Sequence, residues 1–255
     1  MSKSEYKAIQ SVERTFQILE LLAQNPEGLS IQTISERTGL SGSTVHRLLH
    51  TLYALGYTVR RHSNSEPYRL SMRLFEFGSA SIEKLSFIQK IHPSLDHLSE
   101  DLNLTSCVFV PEDDTVVCVM VSTRSSFSSA PTLGSRLPMW CSASGKCFLV
   151  GKSKEQLTEL WENRKNSFFG PHSPSSLEAL EEDIFFVEKN RYFFASEEAQ
   201  VGRACLAVPL INKQQETIAS LCICGSPPMF PRDKIEPLAQ QLLQFVDSMM
   251  SFISK

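Results

Sequence analysis

Ser41-Gly42-Ser43-Thr44-Val45-His46-Arg47-Leu48-Leu49-His50-Thr51-Leu52 is the stretch from which the fold is read. Val45, Leu48, Leu49 and Leu52 fall at i, i+3, i+4 and i+7, one apolar stripe on a helix. Ser43, Arg47 and His50 point away from that stripe, and Thr44 and His46 flank the outward face. Ser41 caps this helix, which the spacing predicts over 42–55, and Gly56 ends it. Upstream, Ser30 caps a shorter helix over 31–37, and Thr38-Gly39-Leu40 turns the chain. Two helices joined by a tight glycine-containing turn form the helix-turn-helix pattern. Its second helix enters the DNA major groove, where hydroxyls reach phosphates or base edges and arginine grips guanine with two hydrogen bonds.

The flanks agree with this reading. Ser11 is expected to cap a first helix carrying Phe16, Ile18, Leu19, Leu21, Leu22 and Ala23, stopped by Asn25-Pro26-Glu27-Gly28. Tyr57 to Arg61 and Tyr68 to Leu70 read as strands around the turn His62-Ser63-Asn64-Ser65-Glu66-Pro67. A hairpin in this position is a wing, and Arg60, Arg61 and Arg69 would lie beside phosphates. Small three-helix units with a hairpin also serve as protein-interaction modules. His46 and His50 stand four apart, as on a zinc helix, but Arg47 occupies the place where that motif needs glutamate.

The chain has 255 residues, 42% hydrophobic and 21% charged, which fits one large or two modest globular domains and excludes a disordered chain. No apolar run approaches the roughly 18–20 residues that span a bilayer. The start, Met1 to Lys7, has no apolar stretch after its lysines, so a cytoplasmic protein without a signal peptide or membrane partner is expected. The net charge of −3 hides a split. Residues 1–80 hold 9 basic against 7 acidic groups, leaving 16 basic and 21 acidic groups to the rest. All seven cysteines (Cys107, Cys118, Cys141, Cys147, Cys205, Cys222 and Cys224) fall in the second part. An odd number in a cytoplasmic chain argues for free thiols.

The second part mixes helices and strands. A linker helix is expected over 70–86 with a hinge at Gly78-Ser79-Ala80-Ser81, followed by a helix over 87–102. Residues 105–110 and 115–121 read as a hairpin joined by Pro111-Glu112-Asp113-Asp114. Helices follow over 142–150, from a capping box Ser153/Gln156 through Trp161, and from a capping box Ser175/Glu178 to about Asn190. Strands are predicted over 192–196, 204–211 and 217–225, and Pro231 opens a terminal helix.

Ser11-Val12-Glu13-Arg14, Gly28-Leu29-Ser30, Thr38-Gly39-Leu40, Ser43 to Leu49, Thr51-Leu52, Leu55-Gly56-Tyr57 and Tyr68-Arg69-Leu70 resemble the winged-helix domain of IclR-type transcriptional regulators. Gly134, Pro138, Ser142 and Gly145-Lys146 resemble that family's effector loop. Arg191-Tyr192, Glu197-Glu198, Gly202, Cys205 and Pro209 resemble its later ligand-binding stretch. The resemblance spans roughly residues 9–250 and implies an α+β chain. Residues 1–78 would be a winged helix-turn-helix domain with the start of the linker helix, and residues 79–255 a GAF-like mixed α/β effector-binding domain. It implies double-stranded DNA as partner, bound through Ser43, Thr44, His46, Arg47, His50, Arg60, Arg61 and Arg69. It also implies a homodimer or dimer of dimers, with the first and linker helices in contact, and no cofactor. Met139, Ser142, Ala143, Ser144, Gly145, Ala195, Cys205, Cys222 and Cys224 would surround a small effector.

The chain departs from the family pattern in places. Gly42 stands where a basic residue is common, Ser71 replaces a common glycine, and the wing turn lacks glycine. Ala195 stands where many relatives carry an acid, and Cys222 and Cys224 where serines are common. A less polar pocket follows, suited to an organic acid with a larger apolar part. The start of the helix at Ser142 offers free N–H groups to its carboxylate. Two rival readings use the cysteines. Cys141, Cys147 or Cys205 could be a nucleophile with His92, His97 or His172 as base, yet no catalytic signature, phosphate loop or Rossmann fingerprint is present. Cys222 and Cys224, two apart on a strand, could serve a thiol- or metal-responsive regulator. As small core hydrophobes they would need no such role.

Overall fold

The computed structural model describes residues 8–60, 67–82, 87–123, 127, 129–164 and 169–253. The chain forms two units by its internal contacts, residues 1–85 and 86–255.

The first unit holds helices α1 (Gln10–Ala23), α2 (Ile31–Thr38) and α3 (Gly42–Ala54), strands β1 (Thr58–Val59) and β2 (Arg69–Leu70), and helix α4 (Arg73–Ile82). The Ser30 hydroxyl caps α2 by accepting from the Thr33 N–H at 3.1 Å. Gly39 closes that helix at φ +70°, a conformation in which it lacks the Cβ clash of other residues. Ser41 caps α3 by accepting from the Thr44 N–H at 3.3 Å. Residues 43–46 are poorer helix formers than alanine by at most about 0.7 kcal/mol each. Burial of Val45, Leu49 and Leu52 against Ile18, Leu22 and Ile34, about 1.5–3 kcal/mol per side chain, outweighs that deficit.

Helix α1 departs from expectation. It begins at Gln10, so Ser11 is not the cap; the Ser11 carbonyl accepts from the Thr15 hydroxyl at 2.6 Å within the helix. Its buried edge is Ile18 and Leu22, whereas Phe16 is 59% exposed, along with Ile9 and Val12. Those three sit at spacings of three and four and form a second apolar edge. The wing base is antiparallel, with Thr58 opposite Leu70 and Val59 opposite Arg69. Leu29 and Tyr68 exchange backbone hydrogen bonds at 3.0 and 2.9 Å, which ties the return strand to the loop before α2. Gly28 beside them has φ +87°, and a Cβ there would lie 2.6 Å from the Tyr68 carbonyl oxygen. Of the wing turn, residues 62–66 lie outside the described residues, as does Arg61. Gly78 to Ser81, expected as a hinge, are helical within α4.

The second unit contains α5 (Phe87–Leu102), β3 (Thr105–Glu112), β4 (Thr115–Ser122), β5 (Arg136–Pro138), a 3₁₀ turn at Met139–Cys141, and α6 (Ala143–Lys146). After these come α7 (Lys154–Asn163), α8 (Leu177–Asn190), β6 (Phe193–Ser196), β7 (Ala204–Ile211), β8 (Thr217–Gly225) and α9 (Arg232–Ile253). Six antiparallel strands form a curled sheet in the order β5-β4-β3-β8-β7-β6. Strand alternation sends Cys107, Phe109, Ala207, Cys222 and Cys224 to the face covered by α6, α7 and α8. The fold is α+β.

Predicted β7 and β8 coincide with the observed strands. The capping box at Ser153 forms in both halves, with Gln156 N–H to Ser153 Oγ and Ser153 N–H to Gln156 Oε1. Three expectations need correction. The β3–β4 turn is only Asp113-Asp114, because Pro111 and Glu112 extend β3. Ser176, not Ser175, caps α8 through the Ala179 N–H. The helix predicted over 142–150 stops at Lys146, after which Phe148 and Leu149 bond three residues back, to Gly145 and Lys146. This tighter winding accompanies burial of the Lys146 side chain.

Candidate DNA-reading face and effector cavity

On α3, Ser43, His46, Arg47 and His50 are exposed and Thr44 is half-buried, opposite the packed stripe. Ser41 Oγ lies 3.1 Å from Ser43 Oγ and 2.9 Å from Thr44 Oγ1, so one cap organises the hydroxyls at the start of the helix. The His46 and His50 rings stack at 6.3 Å. Beside them is a cleft of about 380 Å³ that includes Arg47, Thr44 and Thr51 from α3 with Ser11 and Arg14 from α1. Arg14 was not among the expected residues, because the cleft joins two helices distant in sequence. The wing arginines have partners of their own. Arg60 lies 5.4 Å from the ring centres of both Tyr53 and Tyr68. Arg69 donates to the Glu27 carbonyl at 2.8 Å and lies 3.7 Å from its carboxylate, so it braces the wing base.

In the second unit a cavity lies between the sheet and α6. Of the residues expected around an effector, Ser142, Ala143, Ser144, Ala195, Cys205 and Cys222 line it. Met139, Gly145 and Cys224 do not. Met139 borders a separate pocket of about 240 Å³ with Asp113, Asp114 and Lys152. Gly145 packs so closely that a Cβ would lie 2.3 Å from the Met139 Cα. Cys224 sits behind the wall, its Sγ 3.1 Å from that of Cys205. Phe109, Leu137, Cys141, Glu198 and Arg203 complete much of the lining and were missed. Pattern alone does not reveal them, since they come from separate strands and loops. The expected helix-end anion site is also weakened, because a four-residue helix has almost no dipole to offer.

The polar groups of the cavity are few. Ser142 is engaged locally, donating to the Pro138 carbonyl and accepting from the Gly145 N–H. Ser144 is 2% exposed and its hydroxyl has no hydrogen-bond partner. Arg203 is buried and donates to the Ser129 carbonyl at 3.3 Å. Glu198 is held from the other side by Lys146, whose Nζ lies 2.5 Å from the Glu198 carboxylate and 2.7 Å from that of Asp183. Lys146 is wholly buried, and its ammonium stands 4.1 Å from the Phe193 ring centre. Burial pushes the Glu198 carboxyl above its ordinary range, against the pull of Lys146. Burial also drives the Cys141 and Cys147 thiols up to about 12, so neither is poised as a nucleophile. Hydrogen bonds from Cys222 and Cys224 lower Cys205; hydrogen bonds with Cys205 and Cys224 raise Cys222, and Cys224 is raised first by its hydrogen bond with Cys107 and then by that with Cys205.

The family model for the bacterial transcriptional regulator IclR C-terminal domain matches residues 79–250, and that for the IclR helix-turn-helix domain matches residues 11–62. The chain belongs to the IclR family. It is a transcriptional regulator with a helix-turn-helix DNA-binding domain and a C-terminal effector-binding domain, and the family is one of regulators, not enzymes. Among relatives, the HTH-type transcriptional regulator XynR of Escherichia coli is 32% identical over 216 residues, covering 84% of this chain and 85% of that protein. The Thermotoga maritima IclR structure shares the fold at TM-score 0.79 and 20% identity, covering 97% of this chain and all of that one. An IclR homologue from Microbacterium hydrocarbonoxydans, solved in complex with 4-hydroxybenzoate, gives TM-score 0.78 at 21% identity and covers 94% and 98% of the two chains. Among the described residues no helix is long and apolar enough to cross a membrane.

Proposed function

We infer that the protein is a cytoplasmic, sequence-specific operator-binding regulator whose DNA affinity is set by a small organic acid with an apolar body. The observation that carries this reading is the cavity's polarity pattern. An apolar wall of Phe109, Leu137, Ala195 and Cys222 faces one buried cation, Arg203, and one unpartnered hydroxyl, Ser144, while the Glu198 carboxyl on the same lining is occupied by Lys146. A carboxylate satisfies both, since guanidinium and hydroxyl each donate to it. The acid bound by the Microbacterium homologue is of this class. The cavity's free volume here is about 20 Å³, room for roughly one water. Acid binding therefore requires the wall to open, and a ligand that prefers the open form shifts the population toward it. On the DNA side, the exposed edges Ile9–Val12–Phe16 and Met72–Phe75 support a homodimer, or a dimer of dimers, through α1 and α4. Two copies would place two recognition helices on half-sites about 34–36 Å apart.

A thermal-shift screen tests the effector reading. Benzoate-like and branched aliphatic acids at a hundredfold excess over Kd are expected to add about 2.7 kcal/mol, a rise of roughly 5–10 °C for a domain of this size. Arg203→Ala should abolish the shift without lowering the ligand-free Tm to the same extent. Stabilisation by sugar acids alone, or an undiminished shift in Arg203→Ala, would overturn the assignment.

A further inference from the structure

At the edge of this cavity lies a cluster of thiols whose sulfur chemistry the acid-binding reading does not use, although Cys205 and Cys222 also line the cavity. Cys205 on β7 pairs directly with Cys224 on β8, and Cys222, two residues back, shares its face. The sulfur atoms of Cys205 and Cys224 are 3.1 Å apart and those of Cys222 and Cys224 3.4 Å apart. All three lie within 4.8 Å of one another, and all three thiols are free. Core packing needs small apolar side chains here, but it does not need three sulfurs converging on one point. We propose that Cys205, Cys222 and Cys224 form a three-thiolate site for a soft monovalent cation, copper(I).

The geometry and the donor set select this class of ion. Sulfurs spread over this span can all reach a single ion at a metal–sulfur distance of about 2.3 Å. Thiolate donors favour soft cations over magnesium, calcium or manganese. Among the described residues no histidine or carboxylate joins the group, and Cys107, which hydrogen-bonds to Cys224 alone of the three, falls outside it. Structural zinc sites close with four ligands, whereas copper(I) is satisfied by three. Cys205 and Cys222 line the effector cavity, which gives the ion an entry path, and Arg203 on the same cavity offsets the charge of the thiolates. The thiols bind as thiolates and release their protons to solvent on loading. No oxidation is involved. The site stands independently of the acid: a failed acid screen leaves it intact, and a failed copper titration leaves the acid reading intact.

The test uses reduced, full-length protein under anaerobic conditions, titrated with copper(I) held by a chromogenic copper(I) chelator. One ion per chain should move from chelator to protein, and X-ray absorption of the loaded protein should show three sulfur neighbours and no nitrogen. Cys205→Ser, Cys222→Ser and Cys224→Ser should each weaken uptake at least tenfold, and Cys147→Ser should leave it unchanged. The absorption measurement needs no variant, so a misfolded mutant does not blunt the test. Absence of uptake, nitrogen or oxygen neighbours, preference for zinc, loss of uptake in Cys147→Ser, or recovery of a metal-free disulfide would each overturn the proposal.

Discussion

Arg47 and Arg14 line one cleft from two different helices. Arg47 stands on the outward face of α3, where helical angle alone places it, beside Ser43 and His46. Arg14 belongs to α1 and reaches the cleft from the side, a position suited to a phosphate. Arg47→Ala is expected to lose about 1–3 kcal/mol on the operator and to relax base preference. Arg14→Ala should weaken operator and random DNA alike and reduce the slope of log affinity against log salt by about 1. Fluorescence anisotropy on both DNAs across a salt series separates the two, and equal losses for Arg47→Ala would remove it as a base reader. The outward set Ser43, Arg47 and His50 was legible because a helix converts spacing into direction. Arg14 and the bracing of Arg69 by Glu27 were not, because both depend on contacts between separate elements.

Helices α2 and α3 were legible almost to the residue, since each carries its own cap and stop signal. Strands β7 and β8 were equally clear from β-branched and apolar runs between turns. The segment after Ser142 was not. Its residues favour a helix locally, but Lys146 turns inward to meet Asp183 and Glu198, and the winding tightens after one turn. Gly145 holds this turn against the Met139 backbone, with no room for a methyl group. Gly145→Ala is expected to cost about 1–3 kcal/mol through overpacking. Urea unfolding followed by circular dichroism measures it, and a loss below half a kcal/mol would show that the turn yields freely. The same substitution should lower acid affinity, because Ser142 and Ser144 flank it in the cavity wall.

An isolated chain leaves Phe16 on α1, Met72 just before α4, and Phe75 and Phe77 on α4 exposed, more apolar surface than a small DNA-binding unit needs. A second copy that covers them would account for this arrangement and explain how a unit with little net positive charge holds an operator. Phe16→Glu combined with Phe75→Glu is expected to shift sedimentation toward monomer and to weaken operator binding at least tenfold. An unchanged dimer would place the interface elsewhere. The net charge of −3 belongs to neither half: the basic excess lies in the first 80 residues, and all seven cysteines lie beyond them.

The order of elements, the recognition helix and its outward residues, and the division into a basic reader and a thiol-rich partner domain follow from local rules acting along the chain. Spacing, caps and turn residues operate over a few positions, so a single sequence expresses them in full. The cavity came from folding alone. Strand pairing set Cys205 against Cys224, burial carried Lys146 inward to Glu198, and residues from β3, β7, β8 and α6 met around Arg203 and the unpartnered Ser144. Those contacts join positions far apart in the chain, and their energy depends on burial and on polar groups finding or lacking partners, which no local spacing encodes.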